Sequence, residues 1–102
     1  MNRIEQIHEF LKDRPGDPFL THALALEYIK IEETLKARSL FEELLNRHPD
    51  YVGSYYHLAG LLAGMGEKEM AVEWYEKGMA AARAAGDRHA LNELQNALEE
   101  LS

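Results

Sequence analysis

Residues 18–51 read PFLTHALALEYIKIEETLKARSLFEELLNRHPDY, and residues 52–85 read VGSYYHLAGLLAGMGEKEMAVEWYEKGMAAARAA. Each stretch is 34 residues long, and six identities occur at that spacing between residues 15–42 and 49–76: Pro15 and Pro49, Leu24 and Leu58, Ala25 and Ala59, Glu33 and Glu67, Ala37 and Ala71, and Glu42 and Glu76. A repeat of this length indicates a supersecondary unit that is stacked on a copy of itself. Such a unit buries its apolar face only against its neighbours, so the repeat favours a binding surface over a catalytic centre.

The chain of 102 residues has the composition of a single soluble domain, with 46% hydrophobic and 28% charged residues. It contains no cysteine, which excludes disulfides and thiolate chemistry and predicts a cytoplasmic location. The opening residues, MNRIEQIHEF, are charged throughout, so we expect no secretory signal. The apolar runs are too short for a membrane span, and we expect no membrane partner.

The formal net charge is −7, and lysine and arginine are scattered singly along the chain. Binding to nucleic acid needs clustered positive charge that neutralises phosphates, so we expect no nucleic-acid partner. The acidity has two interpretations, which are attraction for a basic partner and simple solubility.

Proline, glycine and capping residues divide the chain into six predicted helices. Pro15-Gly16 ends the first helix, and Asp17-Pro18 is typical of an N-cap followed by a first-turn proline. Pro49-Asp50 and Gly86-Asp87 are each predicted to end one helix and cap the next. The predicted helices cover residues 2–13, 18–30, 33–47, 51–64, 67–84 and 88–101.

The fourth predicted helix conflicts with local propensity. Tyr51, Val52, Tyr55 and Tyr56 favour strands. The equivalent residues of the first repeat have a helical pattern, so the repeat favours a helix here as well.

These spacings resemble those of the tetratricopeptide repeat (TPR) family. The family's leucine, small, tyrosine, small, aromatic and proline positions are matched in the first repeat by Leu24, Ala25, Tyr28, Ala37, Phe41 and Pro49. The second repeat matches with Tyr55, Leu58, Ala59, Ala71 and Tyr75, and departs from the pattern at Leu62 and Arg83. The resemblance implies an all-α, right-handed stack of antiparallel helical hairpins, with about six helices and no sheet. Its expected parts, within one domain of residues 1–102, are a flanking helix at 2–14, repeats at 18–51 and 52–85, and a capping helix at 87–101.

In this family the first helix of each pair lines a concave groove. The resemblance therefore implies that a peptide or helix of another protein binds there. The residues expected to line the groove are Phe19, His22, Leu26, Ile29, Lys30, Gly53, Tyr56, His57, Gly60, Ala63, Gly64 and Leu94, with Ala90 and Ala97 beside Leu94. Some members clasp the C-terminal carboxylates of chaperone tails with basic and asparagine side chains, but His22, Leu26 and Tyr56 do not match that arrangement.

Gly53, Gly60 and Gly64 share one face of the fourth predicted helix. A glycine inside a helix costs ~1 kcal/mol relative to alanine, so this stripe needs an explanation. Close approach by the backbone of a partner is one explanation, and a solvated groove floor that tolerates glycine is the other.

No motif for catalysis or cofactor binding accompanies the repeats. The five histidines form no H-E-x-x-H pair, and we expect no metal. Ser39 and Ser54 have no assigned base, so we expect neither an enzyme nor a cofactor. The sequence thus predicts a non-enzymatic module that binds another protein. Self-association into a homodimer is the alternative, because the first helix lacks a hairpin mate.

Overall fold

The computed structural model describes residues 1–101, and every helix or strand assigned in that range is an α-helix. The lack of strands among these residues confirms the predicted all-α fold. Each helix begins and ends within two residues of its predicted limits. The helices are α1 (Arg3–Asp13), α2 (Pro18–Lys30), α3 (Thr34–Arg47), α4 (Gly53–Gly64), α5 (Lys68–Ala85) and α6 (Arg88–Leu101).

Aspartate caps begin α2 and α6 as predicted. The backbone amide of Leu20 donates to Oδ1 of Asp17 at 3.1 Å, and a proline occupies the first turn of α2. The amide of Ala90 donates to Oδ1 of Asp87 at 3.0 Å. Each carboxylate satisfies an amide that the helix itself leaves without a partner, so the two starts are fixed by local sequence.

The prediction that Asp50 caps α4 is wrong. The N-cap residue of α4 is Val52, and no side chain caps this helix. The repeat supplies the reason, because the residue equivalent to Asp17 is Tyr51, and Asp50 lies one position upstream of it. The amide of Ser54 donates instead to the carbonyl oxygen of Tyr51, at 3.3 Å.

The structure divides into two compact units, residues 1–48 and the residues from Pro49 onward. In the first unit α2 packs against α1 and α3, and a core cluster forms around Ile7, Leu20 and Leu24. In the second unit α5 packs against both α4 and α6, and α6 also contacts α4. Each unit therefore contains one helical hairpin of the repeat and one single helix.

The turns inside the two hairpins have the same hydrogen bonds. The amide of Glu33 donates to the carbonyl oxygen of Tyr28 at 2.9 Å, and the equivalent bond from Glu67 to Leu62 is also 2.9 Å. In both turns the residue before the glutamate has a positive φ, which is 61° in the first turn and 82° in the second, where it is a glycine. The repeat thus extends to the backbone geometry of the turns.

Small residues lie at the contacts within the hairpins. A Cβ atom built on Gly78 of α5 would lie 2.6 Å from Cβ of Tyr55 on α4. Carbon atoms attract best at about 3.5–4.0 Å, so no side chain fits at this point. The alanines that recur at the 34-residue spacing are fully buried: Ala25, Ala37, Ala59 and Ala71.

The helix α5 has 18 residues, whereas its counterpart α3 has 14. Arg83 stands where the first repeat has Pro49, and the helix continues through it as the sequence predicts. It ends at Gly86, whose φ of 69° lies in the left-handed region that glycine adopts most readily.

Candidate functional site

The outward face of α4 carries three glycines, which leave its backbone bare at those positions. Gly53, Gly60 and Gly64 are exposed, and a Cβ atom added to Gly53 or Gly64 would meet no other heavy atom within 4 Å. At Gly60 the nearest atom would be the hydroxyl oxygen of Tyr75 at 3.7 Å, which is an ordinary van der Waals contact. The glycines are therefore not required by packing inside the molecule.

The opposite face of α4 is core. Tyr55 is buried, and its hydroxyl donates to the carbonyl oxygen of Pro49 at 2.6 Å. Burial raises the pKa of Tyr55, and the nearby carboxylate of Asp50 raises it further. Three further side chains of this face are completely buried: Leu58, Ala59 and Leu62.

The side chain of Tyr75 extends from α5 to the glycine face of α4. Its side chain lies on α5 and is only 5% exposed, and its hydroxyl lies under Gly60. This hydroxyl has no hydrogen bond to any group of residues 1–101. No fully buried polar side-chain atom in that range lacks a partner, so the hydroxyl touches solvent. Burial raises the pKa of Tyr75, with smaller contributions from Tyr56 and Glu100, and the phenol therefore stays neutral.

Tyr56 and His57 lie beside the glycines on α4. Their rings meet edge to face, with centroids 5.8 Å apart, and the side chain of Tyr56 is 43% exposed. Burial lowers the pKa of His57, while the carboxylate of Glu93 on α6 opposes the shift. The α4 face thus combines exposed backbone, two phenols and a largely neutral imidazole.

The predicted binding residues of α2 form a separate face in the first unit. Phe19 is 66% exposed. The amine of Lys30 pairs with the carboxylate of Glu27 at 2.8 Å, and the ring of His22 meets Phe41 edge-on at 5.5 Å. The other two predicted residues of α2 are half-buried: Leu26 and Ile29.

The structure removes Leu94 from the predicted contact residues. It lies in the core with 1% exposure, and its Cδ1 atom would be 3.1 Å from a Cβ built on Gly78. The apolar stripe of α6 is turned towards the rest of the second unit, and Leu94 lies in the middle of that stripe. A partner cannot reach this side chain without unfolding the helix.

The sequence did not predict a pocket of about 410 Å³ in the first unit. Its lining includes Leu24, Tyr28, Leu40, His8 and Lys36. The hydroxyl of Tyr28 lies 3.5 Å from Nε2 of His8, and the amine of Lys36 lies 5.4 Å from the centroid of the tyrosine ring. No sequence signal marks this pocket, because it depends on how α1, α2 and α3 meet.

Residues 1–101 contain no group of three acidic or histidine side chains that is placed to hold a metal ion. Within that range, no helix is both long enough and apolar enough to cross a membrane. Besides the exposed backbone at the glycines, the α4 face has three polar side chains. Tyr56 and His57 belong to α4, and Tyr75 belongs to α5.

Several solved structures are similar to this chain. A tetratricopeptide repeat domain protein from Salinibacter ruber is 41% identical, and the match covers 83% of this chain and 94% of that one, with a TM-score of 0.80. A protein from Bordetella parapertussis is 27% identical over 99% of this chain and 88% of its own, with a TM-score of 0.84. The TPR2B domain of yeast Sti1, in its pHsp70 complex, is 15% identical over 96% of this chain and 78% of its own, with a TM-score of 0.88. At that identity the Sti1 domain shows a likeness of fold alone.

No protein-family model matches the chain, and no curated protein matches it. The match to the Salinibacter protein, at 41% identity, nevertheless covers 94% of that protein chain. The fold agrees, because the helical hairpins and their turns repeat at the spacing of 34 residues. The chain therefore belongs to the tetratricopeptide repeat family.

Proposed function

We propose that this chain is a non-enzymatic protein-interaction module that binds a peptide or a helix of another protein in a concave groove. The observation that carries the proposal is the bare stripe of Gly53, Gly60 and Gly64 beside the exposed ring of Tyr56. The pHsp70 complex of the structurally similar Sti1 domain supports it. The proposal includes no cofactor and no metal, and it places the interaction in the cytoplasm, as the sequence predicts.

The proposed contacts lie on the outward faces of α2 and α4. On α4 the glycine backbone allows a partner's main chain to approach closely, and Tyr56 supplies an aromatic anchor of the kind that carries binding energy. On α2 the exposed ring of Phe19 is a second anchor. The proposed contact residues are Phe19, His22, Leu26, Ile29, Lys30, Gly53, Tyr56, His57, Gly60, Ala63 and Gly64.

The energetic argument concerns helix propensity. An interior helical glycine is less favourable than alanine by ~1 kcal/mol, and Gly60 lies well inside α4. Replacing it by alanine would create no clash in the free protein. A contact made only in the bound state gives this glycine a use that the free structure does not.

The test begins with peptides selected from a random displayed library against the full chain. Gly60→Leu fills the bare face while leaving the core untouched, and we expect it to abolish binding of the selected peptides. Tyr56→Ala is expected to weaken binding by over ~1 kcal/mol if the ring is an anchor. Ala80→Leu is the matched control, since it adds the same side chain at an exposed position of α5 instead of α4.

Both α4 variants must stay folded for the test to count, which thermal melts establish. If Gly60→Leu unfolds the protein, the stripe does not face outward and the assignment of the face fails. If Gly60→Leu and Tyr56→Ala are folded and bind as well as Ala80→Leu, the binding surface lies elsewhere on the molecule.

Self-association is the second candidate function. Large apolar side chains of the first unit are exposed, with Phe10 at 58% and Leu35 at 69%. Such side chains favour symmetric pairing of two copies. Sedimentation over a dilution series distinguishes the candidates, because a homodimer dissociates on dilution. The double variant with Phe10→Ser and Leu35→Ser should be monomeric at every concentration. A wild-type chain that is monomeric at every concentration excludes this candidate.

A further inference from the structure

We propose that the segment bound at the α4 face carries a lysine or arginine side chain, whose cation lies between α4 and α6. The inference rests on the proposed function and adds the chemistry of the partner. The groups that would hold the cation are the carboxylate of Glu100, the ring of Tyr56 and the hydroxyl of Tyr75, and the carboxylate of Glu93, two helical turns away, adds to the negative charge.

The position of α6 brings its acidic side chains near the bare face. α6 contacts α4, and Leu94 in the core fixes which side of α6 is buried. Glu93 and Glu100 are seven residues apart, so they share one side of the helix. The carboxylate of Glu93 raises the pKa of His57 on α4, and that of Glu100 raises the pKa of Tyr75, whose hydroxyl lies beneath Gly60.

Negative charge predominates on α4 and α6 taken together. α4 contains no lysine, arginine or carboxylate. In α6 the only lysine or arginine is Arg88, which lies at the first position of the helix. Glu93 lies 3.7 Å from the exposed imidazole of His89, and Glu100 has no ion pair with any group of residues 1–101. An acidic segment would therefore be repelled here, and a cation would be attracted.

The hydroxyl of Tyr75 is an independent sign of a ligand. The side chain is 5% exposed, yet its hydroxyl has no hydrogen bond among the described residues and lies under the glycine gap of α4. A phenol oxygen accepts a hydrogen bond from an ammonium or guanidinium group while its proton remains available to a backbone carbonyl. The exposed ring of Tyr56 adds a face over which a cation can lie.

The experiment uses the peptides selected from the random library against the full chain. We expect lysine or arginine to be enriched at one position. Replacing that lysine by norleucine, which keeps the alkyl chain and removes the charge, is expected to reduce affinity about 3- to 10-fold. The affinity of the basic peptide is also expected to fall as salt concentration rises.

Variants of the protein locate the cation. Glu100→Gln is expected to reduce affinity for the basic peptide about 3- to 10-fold and to leave affinity for the norleucine peptide unchanged. Glu76→Gln removes the same charge at an exposed position of α5 and serves as the control. Tyr75→Phe keeps the ring, and we expect weaker binding with an unchanged unfolding midpoint, since the hydroxyl has no partner in the free protein.

The outcomes separate this inference from the proposed function. Selected peptides that lack lysine and arginine but lose binding in Gly60→Leu would overturn the inference and leave the function standing. Equal effects of Glu100→Gln and Glu76→Gln on a basic peptide would also overturn it, because the attraction would be non-specific. If the library yields no peptide, or only peptides indifferent to Gly60→Leu, both proposals fail.

Discussion

Substituting alanine for Gly78 tests the packing of α4 against α5. The added Cβ atom would lie 2.6 Å from Cβ and 3.0 Å from Cγ of Tyr55, and 3.1 Å from Cδ1 of Leu94. The leucine methyl can rotate away, but Cβ of Tyr55 is bonded to its backbone, so the two helices must separate by about 1 Å to restore ordinary contact. Overpacking of this kind costs about 1–3 kcal/mol, and the helix propensity of alanine returns ~1 kcal/mol. Because the clash is with an atom bonded to the backbone, we expect an overpacking cost of about 2–3 kcal/mol, in the upper part of that range, and therefore a net loss of roughly 1–2 kcal/mol.

Gly60→Ala is the matched control, because it makes the same chemical change on the neighbouring helix. Its Cβ atom meets only the hydroxyl of Tyr75, at 3.7 Å, so we expect a gain of about 0.5–1 kcal/mol. Urea denaturation followed by circular dichroism measures both, and equal m-values show that the comparison is between similar transitions. A Gly78→Ala protein as stable as the wild type would refute the close approach of α4 and α5.

Three further changes test the structure. Ala59→Leu should destabilise the protein by roughly 1–3 kcal/mol or more, because the site is completely buried, and a change below ~0.5 kcal/mol in urea melts would place the helix crossing elsewhere. Tyr55→Phe should cost about 1 kcal/mol, since it leaves the carbonyl oxygen of Pro49 without its 2.6 Å hydrogen bond, and an unchanged midpoint would contradict that role. Burial lowers the pKa of His57 in the folded protein, so the free energy of unfolding should decrease as pH falls below 6.5, the usual histidine pKa, because the unfolded chain binds the proton more readily. A titration of the His57 ring protons in the folded protein should give a pKa below 6.5, and removing Glu93 should lower that pKa further.

The sequence predicted those features that depend on a few neighbouring residues or on the repeat. The caps at Asp17 and Asp87 and the end of α5 at Gly86 were predicted because each needs only the right residue at the end of a helix. The helical state of residues 53–64 contradicts the β-propensity of Tyr55 and Tyr56, and only comparison with the first repeat predicted it.

The missed features depend on distances between helices. Gly78 follows Ala71 by seven residues, which places both on one face of α5 and could have marked the close approach to α4. The exposure of the Tyr75 hydroxyl had no comparable signal, because it depends on which part of α4 lies above the ring. Leu94 was expected at the surface because the family pattern assigns a helix to the groove without giving the rotation of that helix. The groove itself stays a prediction.

The two faces of α4 have separate constraints on mutation. The side chains of Tyr55, Leu58 and Ala59 can hardly vary without loss of folding, whereas Gly60 has room for a side chain and Tyr56 is 43% exposed, with its ring against that of His57. Selection for a new partner can therefore act on the outer face of this helix without first acquiring compensating changes in the core. Randomising the outer positions of α4 alone should yield a library in which most members fold, and this makes the chain a suitable scaffold for evolving new binding specificities.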